Sequence, residues 1–177
     1  MDCWPESNVF FKNGVTYLKS ELLHYKCNRY KSVLFVDFHV SMLKIMLPSE
    51  FLKLSRLYEI VIITCPELRP LALFYFKYFN NVVAVFDLGK SVSDILCELI
   101  VIRSGERSVC PVISGSYLTK REAYLLESFL NGKSVYRLAR ELSVSCKTIY
   151  NQRSFMSKKM MVKNLEHLIM PFNLIRT

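Results

Sequence analysis

Apolar positions follow two rhythms along this chain, and the change from one to the other divides it. In the first hundred residues, short unbroken apolar runs alternate with helical periods. Residues 9–25 place Phe10, Val15, Leu18, Leu22 and Tyr25 near one helical face, with Gly14 weakening the first turns. Val33-Leu34-Phe35-Val36 is a buried-strand run within 31–40, closed by Asp37. Residues 41–57 predict a helix with Ser49 as a candidate cap, and 58–64 a second buried strand halted by Pro66. A helix around 67–79, a third strand at 81–86 and an amphipathic helix at 91–102, capped by Ser91 or Ser93, complete the series. Such alternation predicts right-handed βαβ units and a parallel sheet covered on both faces.

Residues 103–117 mix Gly, Ser, Pro and charge without a helical period, so they read as a linker. The predicted division is an α/β domain at 1–104, a linker at 105–116 and an all-α domain at 117–177. From Leu118 onward the rhythm is helical only. Thr119-Lys120-Arg121-Glu122 is a capping box, in which hydroxyl and carboxylate satisfy two orphan N–H groups. The helix it opens buries Leu125, Leu126, Phe129 and Leu130 and ends at Asn131-Gly132. Ser134 caps the next helix, with Leu138, Ala139 and Leu142 inward, and Ala139 small where two helices must meet. Leu142-Ser143-Val144-Ser145 then turns the chain into a third helix. Its inner face carries Ile149, Met156 and Met160, and its outer face Lys147, Tyr150, Asn151, Ser154 and Lys158. A last helix from about Lys163 offers Leu165, Leu168 and Ile169 before Pro171.

Charge sharpens this division. The net charge is +9, and residues from Leu118 onward hold eleven Lys/Arg against four Asp/Glu, which leaves only +2 for everything before them. A basic last third suits nucleic acid or an anionic membrane surface. The apolar runs are too short to span a bilayer, and Met1-Asp2-Cys3-Trp4-Pro5-Glu6 is no signal peptide, which points to a cytoplasmic protein without a membrane partner. The six cysteines are scattered without a C-x-x-C pair, and His24, His39 and His167 stand alone. Neither pattern suggests a metal site, and no catalytic constellation or cofactor motif is present.

Residues 118–168 resemble the LuxR-type helix-turn-helix of the NarL group of bacterial regulators. The matching positions are Leu118-Thr119, Arg121-Glu122, Gly132, Ser134, Leu138-Ala139, Leu142, Val144-Ser145, Lys147-Thr148-Ile149 and Lys159. The resemblance implies double-stranded DNA as partner. Tyr150, Asn151 and Ser154 fall where such regulators read base edges, with Lys147, Thr148, Arg153, Lys158 and Lys159 as candidates for phosphate contacts. It also implies dimerisation through the last helix, with Leu165, Leu168 and Ile169 as candidates, as a homodimer or with another regulator. RNA polymerase is a further candidate partner. Tyr150, Gln152 and Met161 depart from the family, which has lysine, histidine and glycine there.

Residues 6–102 resemble a shortened, degenerate receiver domain of flavodoxin-like fold. Asp37 ends a strand as a phospho-acceptor would, Thr64 ends the next, Lys90 follows the third, and Glu6 stands where an acidic pair would hold Mg²⁺. One acid of that pair is missing, and the passage from Gly14 to Asp37 is too short for a full strand-helix-strand unit, so the sheet is expected to be trimmed. Asp37 reads first as an aspartate capping the turn after its strand. The aromatics of the first domain read mostly as core; residues 74–79 contain more of them than one helix face can bury, which leaves a partner or dimer surface there as the alternative. Together these readings describe a regulator that binds specific DNA sites at bacterial promoters and is not controlled by standard phosphorylation. The alternative is an auxiliary regulator that binds DNA poorly alone and acts by heterodimerising with another LuxR-type protein.

Overall fold

Local chemistry starts and stops the helices of the first hundred residues. The computed structural model describes residues 2–25, 27, 32–102, 108–109 and 117–169. Asn8 opens α1 (Val9–His24) by accepting the N–H of Phe11 on its side-chain oxygen, and α1 buries Val15, Leu18 and Leu22. The strands are β1 (Cys3–Trp4), β2 (Val33–Phe38), β3 (Glu59–Thr64), β4 (Val82–Asp87) and β5 (Ser108–Val109). Where one helix over 41–57 is predicted, a 3-10 helix (Val40–Met46) precedes α2 (Pro48–Ser55), because Pro48 holds Leu47 in an extended conformation. Ser49 therefore lies inside α2 rather than capping it. A 3-10 turn (Pro66–Leu68) leads into α3 (Arg69–Tyr78), and Ser91 caps α4 (Val92–Val101). Strand β5 lies within the stretch read as linker, most of which falls outside the described residues.

All five strands are parallel, in the order β1-β2-β3-β4-β5. A doubly wound sheet reverses its direction of growth once, as in the order 2-1-3-4-5. Among the described strands no reversal occurs, and α1 ends at His24, close before β2 starts at Val33. Val33, Phe35, Val61, Ile63 and Phe86 point to the face covered by α1 and α4, while Leu34, Val36, Phe38, Ile60 and Ile62 point to the face under α2 and α3. Steps in one direction through opposite faces have opposite hands. The crossovers among the described strands therefore cannot all be right-handed, as strand-helix alternation predicts.

The C-terminal third is all helical, with α5 (Lys120–Leu130), α6 (Val135–Glu141), α7 (Cys146–Lys159) and α8 (Glu166–Ile169). Its apolar interior is continuous with the α2/α3 face of the sheet: Phe51, Leu71, Phe74 and Tyr75 belong to the same buried cluster as Leu125, Leu126, Ile149 and Met156. Tyr75 is the hub, stacked on Phe51 at 3.9 Å and donating its hydroxyl to the Met46 carbonyl at 2.6 Å. Polar contacts fix the approach. The Leu118 N–H donates to the Pro70 carbonyl at 3.0 Å, and the Lys120 ammonium lies 5.0 Å from the Tyr78 ring centroid. Both the N–H and the hydroxyl of Ser49 donate to the Glu127 carboxylate, at 3.3 and 2.5 Å. Helix α2 has no side-chain cap of its own, so α5 supplies a carboxylate at its first turn. The aromatics at 74–79 thus pack chiefly on one another and on Phe51, in a cluster that the C-terminal helices continue.

Candidate nucleic-acid interface

Three serine or threonine caps set the frame of the C-terminal helices. The Thr119 hydroxyl accepts the Glu122 N–H at 3.2 Å, and the Thr119 N–H donates to the Glu122 carboxylate at 2.8 Å, completing the capping box. Gly132, at φ 78°, turns the chain out of α5, and Ser134 opens α6. Ser143 takes the left-handed conformation at φ 51°, letting the Val144 N–H bond back to the Ala139 carbonyl at 2.9 Å. Ser145 then accepts the Thr148 N–H at 3.1 Å and starts α7. Ala139 is buried at the α6–α7 contact, and Ile149, Met156 and Met160 have no exposed surface.

With that inner face buried, α7 turns Lys147, Tyr150, Asn151, Ser154 and Lys158 to solvent. Thr148 is half-buried, its hydroxyl 2.9 Å from that of Ser145. Two predicted phosphate contacts already have partners within the chain. The Lys159 ammonium donates to the Glu122 carboxylate at 2.8 Å and to the Tyr117 carbonyl at 3.4 Å, tying the end of α7 to the start of α5. Burial pushes the Glu122 carboxyl up, but the Lys159 ammonium and the Thr119 donors outweigh it and hold the group below its usual range. Arg153 donates to Asn164 at 3.1 Å and to Glu166 at 2.5 Å, with its guanidinium carbon 5.6 Å from the Phe129 ring centroid. A second clamp joins α5 and α6, where Lys133, Arg137 and Tyr124 surround the Glu141 carboxylate and lower its pKa to about 2.

Beside α7 lies a cleft of about 380 Å³ lined by Tyr150, Arg153, Ser154, Lys158, Lys163 and Glu166, among others. Lys163, Asn164 and Glu166 were missed in the sequence, since they follow a turn and complete no helical face of their own. Of the dimerisation candidates, Leu165 and Leu168 are buried, and α8 packs beside the 3-10 helix of residues 40–46. Ile169 ends α8, and its side chain lies outside the described residues.

Asp37 and Thr64 lie near the C-terminal ends of the paired strands β2 and β3, and Lys90 follows β4, which pairs with β3. Asp37 is nearly buried and opens on a pocket of about 440 Å³ with Ser7, Asn8, His39 and Ser41, where the Asn8 amide donates to its carboxylate at 2.7 Å. Thr64 is fully buried, and its hydroxyl donates to the Cys65 carbonyl at 3.0 Å. Lys90 pairs with Glu98 on α4, and Glu6 lies exposed on the turn after β1. Asn8 and Glu98, the two residues that engage Asp37 and Lys90, carried no signal in the local sequence pattern. Among the described residues no three His, Cys, Asp or Glu side chains gather as metal ligands, and no helix is long and apolar enough to cross a membrane.

A capped helix pair, a four-residue turn and a polar outward helix define a LuxR-type DNA-binding regulator of transcription, and residues 116–172 match the family of bacterial regulatory proteins, luxR family. Residues 1–130 match the EcpR N-terminal domain. The chain belongs to the EcpR N-terminal domain family, and the two matched spans overlap across α5. Among curated proteins it is similar to the Vi polysaccharide biosynthesis protein TviA of Salmonella typhi, 27% identical over 171 residues, covering 95% of this chain and 93% of that protein. It is also similar to the uncharacterized protein YqeH of Escherichia coli (strain K12), 25% identical over 161 residues, covering 89% and 74%. Among solved structures, one of two RcsB dimers bound to two parallel DNAs is 19% identical, with a TM-score of 0.45, covering 89% of this chain and 82% of that one.

Proposed function

We propose that this regulator binds specific sites in bacterial promoters, with α7 lying in the major groove. One observation carries the reading: Lys147, Tyr150, Asn151, Ser154 and Lys158 stay solvent-exposed on a capped helix whose other side is buried. Asn151 is suited to a bidentate contact with adenine, while Tyr150 and Ser154 flank it for base or phosphate. Lys147 and Lys158 are free to meet the backbone, with Thr148 at the helix start. The protein would work in the cytoplasm, and chemistry is not its task.

Phosphorylation does not govern it on this reading. Two contacts support this: Asn8 supplies a neutral donor to Asp37, and Lys90 pairs with Glu98. The test is binding of genomic fragments across a salt series, followed by mapping of the bound sites. Asn151→Ala should cost about 1–3 kcal/mol and relax the preference at one base pair, whereas Lys158→Ala should weaken all sites alike and lower the salt slope by about one. Salt-independent binding, or none, would overturn the proposal.

A second reading has its own support. Arg153 and Lys159 are held by carboxylates, and Tyr150 replaces a lysine, which on this reading would lower DNA affinity alone; Leu165 and Leu168 are buried within the chain. An auxiliary regulator that heterodimerises with another LuxR-type protein would fit. Gel shifts with and without such a partner separate it from a self-sufficient homodimer, and RNA polymerase is a further partner to include.

A further inference from the structure

The cleft beside α7 gathers more positive charge than the exposed face of the helix alone. Arg153, Lys158 and Lys163 line it, together with the hydroxyls of Tyr150, Ser154 and Ser157. Among the described residues its one carboxylate is Glu166, half-exposed, which reaches back from α8 to hold the Arg153 guanidinium at 2.5 Å. Asn164 sets this geometry. Its carbonyl oxygen accepts from Arg153 at 3.1 Å and from the Glu166 N–H at 3.2 Å, while its amide donates to the Glu166 carboxylate at 2.9 Å. The Phe129 ring backs the guanidinium. Arg153 is thus held with one guanidinium nitrogen, Nη2, donating to an anion of this chain.

We propose that this cleft is a second anchoring site for a DNA backbone phosphate, and that the Glu166 carboxylate is an internal stand-in which the phosphate displaces. The inference rests on the DNA-binding reading above. A guanidinium fork fits carboxylate and phosphate oxygens alike, and its aromatic backing leaves it oriented when the occupant changes. Lys158 and Lys163 flank the position a phosphate would take, and Tyr150 and Ser154 connect it to the base-reading face. Releasing Glu166 has a measurable signature. A phosphate neutralised by Arg153 frees one DNA counterion, but the freed carboxylate takes up a cation, so the exchange adds little to the salt slope.

Glu166→Gln removes that uptake. In fluorescence anisotropy with a non-specific duplex, it should raise affinity roughly threefold and steepen the salt slope by about one. Arg153→Ala should weaken binding, and in its background Glu166→Gln should lose its effect on both readouts. The slope does not depend on the folded fraction, so a small loss of stability in either variant leaves the result legible. Wild-type binding with affinity and slope unchanged by Glu166→Gln would overturn this inference alone. A gain that persists without Arg153 would overturn it too, as an effect of net charge only. Failure of every variant to bind DNA would instead overturn the DNA-binding reading on which it rests.

Discussion

The two faces of the sheet end in different ways. Under α1 and α4 the core stops at solvent, with Phe10, Tyr17 and Val101 left exposed on the outer sides of those helices. Under α2 and α3 it does not stop, but runs through Phe51 and Tyr75 into the interior of α5–α8. The difference teaches that the DNA-binding helices are not a bead on a tether. They complete one face of the sheet, and the sheet completes them, while α7 is left outward. A folding unit and a functional unit have different borders in this molecule.

The sharpest way to break that comparison is Tyr75→Ala. It removes the stacked ring from the shared core and should cost about 3–5 kcal/mol. Calorimetry should show the sheet and the C-terminal helices melting together; a separate transition for α5–α8 would mean two cores. Glu127→Ala removes the carboxylate at the start of α2 and should cost about 1 kcal/mol, read from denaturant midpoints. Hydrogen exchange in α2 should rise without loss in α4.

Acid probes the clamps inside the C-terminal helices. Glu122 and Glu141 both titrate below their ordinary 4.5 in the folded protein, Glu141 at about 2. The stability they supply is fully present above 4.5 and is lost as the pH falls through their lowered values. The melting temperature should therefore drop over that acid window, and Glu141→Gln should flatten part of the drop. The smallest effect concerns Met161, an exposed side chain at φ 51° after α7. Met161→Gly relieves left-handed strain and should stabilise the protein by about 0.5–1 kcal/mol, partly offset by the freedom glycine gains in the unfolded chain.

Much of the fold was legible because its signals are local. The runs at 33–36 and 58–64 became central strands, and the capping box at Thr119 and the serine caps at 134 and 145 opened helices where they were expected. The split at Pro48 was not anticipated, because the helical period on either side hid it. What stayed illegible depends on distant partners. Asn8 meets Asp37, Ser49 meets Glu127 and Arg153 meets Glu166 only after folding brings them together. The exposed face of α7 follows from helical spacing, whereas the occupation of Arg153 and Lys159 follows from tertiary contacts. The same distinction explains the aromatics of α3, whose cluster is continued by helices some forty residues further along the chain.

Helix α5 has a practical consequence for exchanging parts between regulators. It begins the DNA-binding unit with its capping box, yet its Glu127 and its apolar side serve the sheet, and both matched families claim it. A chimaera joined in the stretch before Leu118 would import a foreign α5 and leave Ser49 and the α3 aromatics facing an unmatched surface. Joined after Leu130, it would keep the native seam and let a new α6–α7 pair be carried on the old foundation. The useful cut for rewiring this regulator therefore lies inside its helix-turn-helix unit, after the first helix.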